Sequence, residues 1–111
     1  MNGPKSIYEM QAEVCKVFSS PLRIEIIDAL EEGEKSVGEL ISLLGSPASN
    51  ISQHLSLMRA KGILSCRREG AVVYYHIAHY KITEACTIMK EVLLDLLTER
   101  GDMARLVRGA E

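Results

Sequence analysis

The sequence predicts a mainly α-helical domain with one small β-hairpin, in the order helix, helix, helix, helix, hairpin, helix. Three observations carry this reading. Apolar residues recur at helical spacing, punctuated by Ser and Pro at helix starts and Gly at stops. The stretch Ile63–Ile77 reads instead as two short strands about a Glu69-Gly70 pair. No repeat, low-complexity tract or long linker interrupts the 111 residues, so residues 1–111 are expected to form one domain.

The first helix is expected from about Ser6 to Ser19, with Ile7, Met10, Val14, Val17 and Phe18 as its stripe. The second starts at Ser20 as N-cap with Pro21 at the first helical position, and stops at Gly33. Leu22, Ile26 and Leu30 form one of its faces while Ile24 and Ile27 point roughly opposite, a pattern of burial on two sides. "SVGE", Ser36 to Glu39, is a capping box opening a third, short helix with Leu40, Leu43 and Leu44 inward. Gly45 stops it, and a fourth helix begins at Ser46 and Pro47 and closes at Gly62. Two short helices joined by a tight Gly turn, residues 36–61, make a helix-turn-helix.

In the fourth helix Ile51, Leu55 and Met58 fall within about 40° of one another and form the buried stripe. Ser49, Gln53, Ser56 and Ala60 fall opposite, with Ser52 and Arg59 on one flank; Leu57 fits neither side. In the hairpin, residues 63–77, a Glu69-Gly70 turn would pair Arg68 with Ala71, Cys66 with Val73 and Leu64 with Tyr75. One face then carries Leu64, Cys66, Val73, Tyr75 and Ile77 to the core, and the tip carries Arg67 and Arg68. The last helix, about Tyr80 to Arg100, has a stripe of Ile82, Cys86, Met89, Leu93, Leu96 and Leu97, with Gly101 as its stop.

Composition narrows the function. With 47% apolar and 25% charged residues the chain reads as globular. It has no apolar run of 18 residues, so no membrane segment is expected, and "MNGPKSIYEMQAE" lacks the apolar core of a signal peptide. A cytoplasmic protein is the expectation. Three cysteines without a CxxC pair argue against a disulfide framework, a zinc ribbon and a thiol redox enzyme.

A net charge of −2 argues weakly against nucleic acid, but its distribution does not. Acidic residues crowd Glu25 to Glu39, whereas Leu40 to Arg68 holds none and contains Arg59, Lys61, Arg67 and Arg68. A helix-turn-helix followed by a basic hairpin is a winged helix. Its reading helix would offer Ser49, Asn50, Ser52, Gln53 and His54 to DNA, and Arg59, Lys61, Arg67 and Arg68 suit phosphates. A small domain makes few phosphate contacts, so two copies on a palindromic site are expected. The competing reading is a winged helix used only to bind protein.

"SVGEL", "SNISQHLSLMRAKGIL" and "CRREGAVVYYHI" together resemble the winged-helix repressors of the arsenic- and zinc-sensing ArsR/SmtB family. The resemblance spans roughly Val17 to Ile77. It implies a homodimer built on the first and last helices, residues 1–19 and 80–101. It also implies repression from an inverted-repeat DNA operator, and release when an inducer binds.

The chain departs from the family's sensing sites. Where an E-L-C-x-C run would place thiols, this chain has Glu39-Leu40-Ile41-Ser42-Leu43. The last helix has no second histidine after His79 to build a zinc site, and Asp28 stands where persulfide sensors carry a thiol. Cys15 and Cys86 remain as effector candidates if the two outer helices pair, and their soft sulfurs suit As(III) or another thiophilic metal ion, or oxidation. Buried cysteine is also an ordinary small hydrophobe, the simpler reading of Cys66. His76 and His79 have ligand-like spacing but stand on a strand end and a loop.

Overall fold

The computed structural model describes residues 3–99. The order is α1 (Ile7–Val17), α2 (Pro21–Leu30), β1 (Lys35–Ser36), α3 (Val37–Leu44), α4 (Ala48–Ala60), β2 (Leu64–Glu69), β3 (Val72–Ile77) and α5 (Tyr80–Glu99). The mainly α reading with a hairpin holds, with one addition. Lys35–Ser36 pairs antiparallel with β3, giving a three-stranded sheet in the order β1-β3-β2. Two residues are too short for a strand pattern, and only the pairing with Tyr75 and Tyr74 makes them one.

Local chemistry sets the helix starts. Ser6 and Glu9 form a capping box on α1 that the sequence reading passed over. Ser20 accepts from the Arg23 amide with Pro21 at the first position, and Ser36 with Glu39 closes the expected box on α3. Gly45 takes the left-handed conformation, φ 67°, and donates its N–H to the Ile41 carbonyl. α4 differs from expectation. Pro47 occupies the N-cap and no side chain caps the helix, so Ser46 does not start it. His79, in contrast, caps α5: its Nδ1 accepts from the Lys81 amide at 3.1 Å.

The core gathers Val17, Ile26, Ile27, Leu30, Leu40, Ile51, Leu55, Met58, Ile63, Leu64 and Tyr75. It lies between α2, α3, α4 and one face of the sheet. Three expected burials fail. Leu43 points outward at 60% exposure while Ile41 packs against the core, because α3 is one short helix with a single inward face. Ile24 on α2 is 40% exposed while Ile27, expected on the same face, is buried, so the second face of α2 closes at Ile27 but not at Ile24. The stripes of α1 and α5 stay open: Val17 is the only buried residue of α1, and none of α5 is buried. The expected stop at Gly101 lies outside the described residues.

The hairpin turns at Gly70-Ala71, not Glu69-Gly70. Glu69 pairs with Val72, Cys66 with Tyr75 and Leu64 with Ile77. Gly70 has φ 63°, and this turn puts glycine where a positive φ is needed and leaves Glu69 extended. The register moves by two residues, and side chains alternate with period two, so the inward face is unchanged. Leu64 and Tyr75 are buried on it, with Cys66, Val73 and Ile77 half-buried.

Candidate nucleic-acid interface

α4 is held by three side chains that solvent hardly reaches: Ile51, Leu55 and Met58 are each at most 1% exposed. Its other side carries Ser49, Asn50, Ser52, Gln53 and Ser56, all exposed. The side chains of Ser49, Asn50, Ser52 and Gln53 make no hydrogen bond or ion pair with the rest of the chain among the described residues. Four free donor-acceptor groups therefore stand on a rigid rod about as wide as a DNA major groove.

His54 is half-buried on the flank of α4 that faces α2. Its Nδ1 accepts from Arg23 Nε at 2.9 Å, so in this geometry the neutral ring carries its proton on Nε2. No buried side-chain nitrogen or oxygen lacks a partner among the described residues, so Nε2 faces solvent as a donor. Arg23 also donates from Nη1 to the Lys16 carbonyl at 3.4 Å, tying α4 to α2 and the end of α1. The sequence reading missed Arg23. Its partner lies 31 residues away, and no local pattern announces such a bond.

Arg59, Lys61 and Arg68 are exposed and make no ion pair among the described residues. Arg67 is bound within the wing. Its Nε donates to Glu34 at 2.9 Å and its Nη1 to Glu69 at 2.8 Å. The guanidinium carbon lies 4.5 Å above the Tyr74 ring. The Arg67 guanidinium holds the Glu34 carboxyl below the ordinary carboxylate range, and Glu34 with Glu69 raises Arg67 in turn. The stretch that lacks acids in sequence thus meets two of them in space, one from before β1 and one from its own strand end.

Cys15 is exposed on α1, in a shallow groove with Tyr8, Gln11, Ala12, Lys16 and Ser19. Cys86 is half-buried on α5, in an apolar groove of about 400 Å³ with Phe18, Ile24, Met89, Val92, Leu93 and Leu96. Burial pushes the Cys86 thiol up, which disfavours the thiolate. Among the described residues no three His, Cys, Asp or Glu side chains converge to hold a metal ion. Asp28 bonds Lys90 of α5 at 3.4 Å, which puts the second-helix position against the last helix with a carboxylate in place of a thiol.

Helix, tight turn, helix and hairpin in this arrangement define a winged helix-turn-helix DNA-binding regulator. A family model described as bacterial regulatory protein, arsR family, matches residues 20–65. The uncharacterized HTH-type transcriptional regulator Rv0081 of Mycobacterium tuberculosis is 38% identical over 95 residues, 85% of this chain and 83% of that protein. Its crystal structure aligns with TM-score 0.79 and 37% identity over 87% of this chain and 98% of that one. The HTH-type transcriptional repressor SmtB of the same organism is 29% identical, covering 91% of this chain and 70% of its own. A solution structure of Mb0332 from Mycobacterium bovis, described as a homodimeric winged helix-turn-helix DNA-binding domain, aligns with TM-score 0.78 and 25% identity over 89% of this chain and 95% of that one.

The chain belongs to the ArsR family of transcriptional regulators. These relatives are described as a transcriptional regulator and a transcriptional repressor. No helix among the described residues is long and apolar enough to cross a membrane.

Proposed function

We propose that the chain is a cytoplasmic, homodimeric repressor that reads an inverted-repeat operator and is released by a thiol-reactive or metal(loid) signal. The observation that carries the DNA reading is the exposed, unpartnered polar face of α4 on its buried apolar stripe. Ser49, Asn50, Ser52 and Gln53 meet base edges, and His54 Nε2–H, Arg59, Lys61 and Arg68 meet phosphates. Arg67 stiffens the wing through Glu34 and Tyr74, and so presents Arg68.

The dimer reading rests on the open apolar surface. Ile7, Met10, Val14, Met89, Leu93 and Leu96 are all exposed in one chain. Patches of this kind mark interaction surfaces, and a second copy would cover them. Mb0332, described as homodimeric, supports pairing of two copies. Cys86 lines that surface, so an As(III) or oxidative adduct there would place a polar or bulky group where two copies meet. Cys15→Ser or Cys86→Ser is expected to bind DNA normally and resist release. Full inducibility of the double variant would leave a repressor without a cysteine-based effector.

Fluorescence anisotropy on the protein's own upstream region tests the DNA reading. The expected result is specific binding whose affinity falls steeply between 50 and 200 mM salt, by about 10³ or more for six to ten phosphate contacts. Absence of binding at low salt would leave the protein-interaction module as the reading.

A further inference from the structure

A groove of about 290 Å³ lies between the end of α1, the start of α2 and the end of α4, lined by Glu13, Lys16, Val17, Arg23, Leu57 and Lys61. We propose that this groove is a seat for a DNA backbone phosphate, formed by Lys16, Arg23 and Lys61 over the apolar floor of Leu57. The proposal rests on the DNA-binding reading and adds to it a site to which α1 and α2 contribute.

Three cations line the space, and none of them makes an ion pair among the described residues. The one anion, Glu13, is already paired with Lys5. The Lys5 bond and charge hold the Glu13 carboxyl below its usual range, and Lys61 and Lys16 add to the same effect. Both lysine charges therefore act on the same small volume from two different helices. Arg23 uses Nε for His54 and one Nη1 proton for the Lys16 carbonyl, which fixes its fork and leaves Nη protons for an oxygen acceptor.

The position fits a backbone contact. Leu57 is one turn on from Gln53 and about 40° round the helix. A helix in the major groove turns its flanks to the two phosphate ridges. One flank of α4 carries Ser52 and Arg59; the other carries Leu57 and Lys61 and opens onto this groove. Leu57, which has no place on either the buried stripe or the polar face, is half-buried as its floor.

The test is anisotropy titration between 50 and 200 mM salt on two duplexes, the upstream region and an unrelated 30-base-pair sequence. Lys16→Gln and Lys61→Gln are each expected to lower the salt slope by about 0.9 per seat, about 1.8 for a dimer. Their loss of affinity is then about twelvefold greater at 50 than at 200 mM, and equal on both duplexes. Glu13→Gln is expected to tighten binding to both. Thermal melts of the three variants check that each keeps the fold. Wild-type slope and affinity in Lys16→Gln overturn the seat even if Lys61→Gln weakens binding, since Lys61 would then act from α4 alone. A wild-type protein with no salt-dependent binding overturns the DNA reading and the seat with it.

Discussion

Gln53 and Ser52 stand on the exposed face of α4 with no partner of their own among the described residues. A bidentate amide reading adenine contributes about 1–3 kcal/mol of base discrimination. Gln53→Ala is therefore expected to weaken operator binding by about tenfold or more while leaving binding to unrelated DNA unchanged, as competition titrations would read. Glu34 gives a pH signature. Its carboxyl is held low in the folded chain by Arg67, so its contribution to stability is present above the ordinary carboxylate pKa. That contribution is lost as pH falls through the lower, folded value. The melting temperatures of wild type and Glu34→Gln should differ at pH 6 and converge in strong acid; a constant offset across that range would exclude the ion pair as the cause. Arg67 looks in the sequence like a free cation at a wing tip. Glu34 and Tyr74 reach it only through pairing of three strands, and that is not readable from neighbours along the chain.

The short helices are set by their ends. Ser36→Ala removes the acceptor of the Glu39 amide and one half of the box, at a cost of about 1 kcal/mol in chemical denaturation. Gly45→Ala forces a side chain into a left-handed backbone with φ 67° and is expected to cost about 1 kcal/mol, although the added methyl itself meets nothing within 4 Å. A stability unchanged in Gly45→Ala would mean that the turn relaxes to another conformation. These caps and stops were legible because each acts within four residues. The hairpin register was not, because Glu69-Gly70 and Gly70-Ala71 bury the same face and differ only in which residue takes the positive φ. β1 was invisible for a related reason: its two residues become a strand only when β3 arrives beside them.

For the whole molecule, the open apolar surface of α1 and α5 is the decisive feature. A charge placed there is expected to keep the monomer folded and prevent pairing. Leu93, 52% exposed in one chain, is the position to use. On the proposed dimer, Leu93→Glu should sediment as a monomer and lose operator affinity by several orders of magnitude, because each half-site would then be bound alone. Its helix content should stay native, since the side chain is no part of the core. A Leu93→Glu protein that still sediments as a dimer would move the interface elsewhere.

The sequence by itself determined the helix order, the Gly45 stop of α3 at the turn into α4, the buried stripe of Ile51, Leu55 and Met58, and the inward face of the hairpin. Each of these follows from periodicity or from hydrogen bonds closed within a few residues. The tertiary structure decided which charges are free. It tied Arg67 to Glu34 and Arg23 to His54, and it gathered Lys16, Arg23 and Lys61 around Leu57. Such pairings depend on where separate elements cross. Their crossing is fixed by how the whole core packs, a property that no short stretch of the chain carries alone.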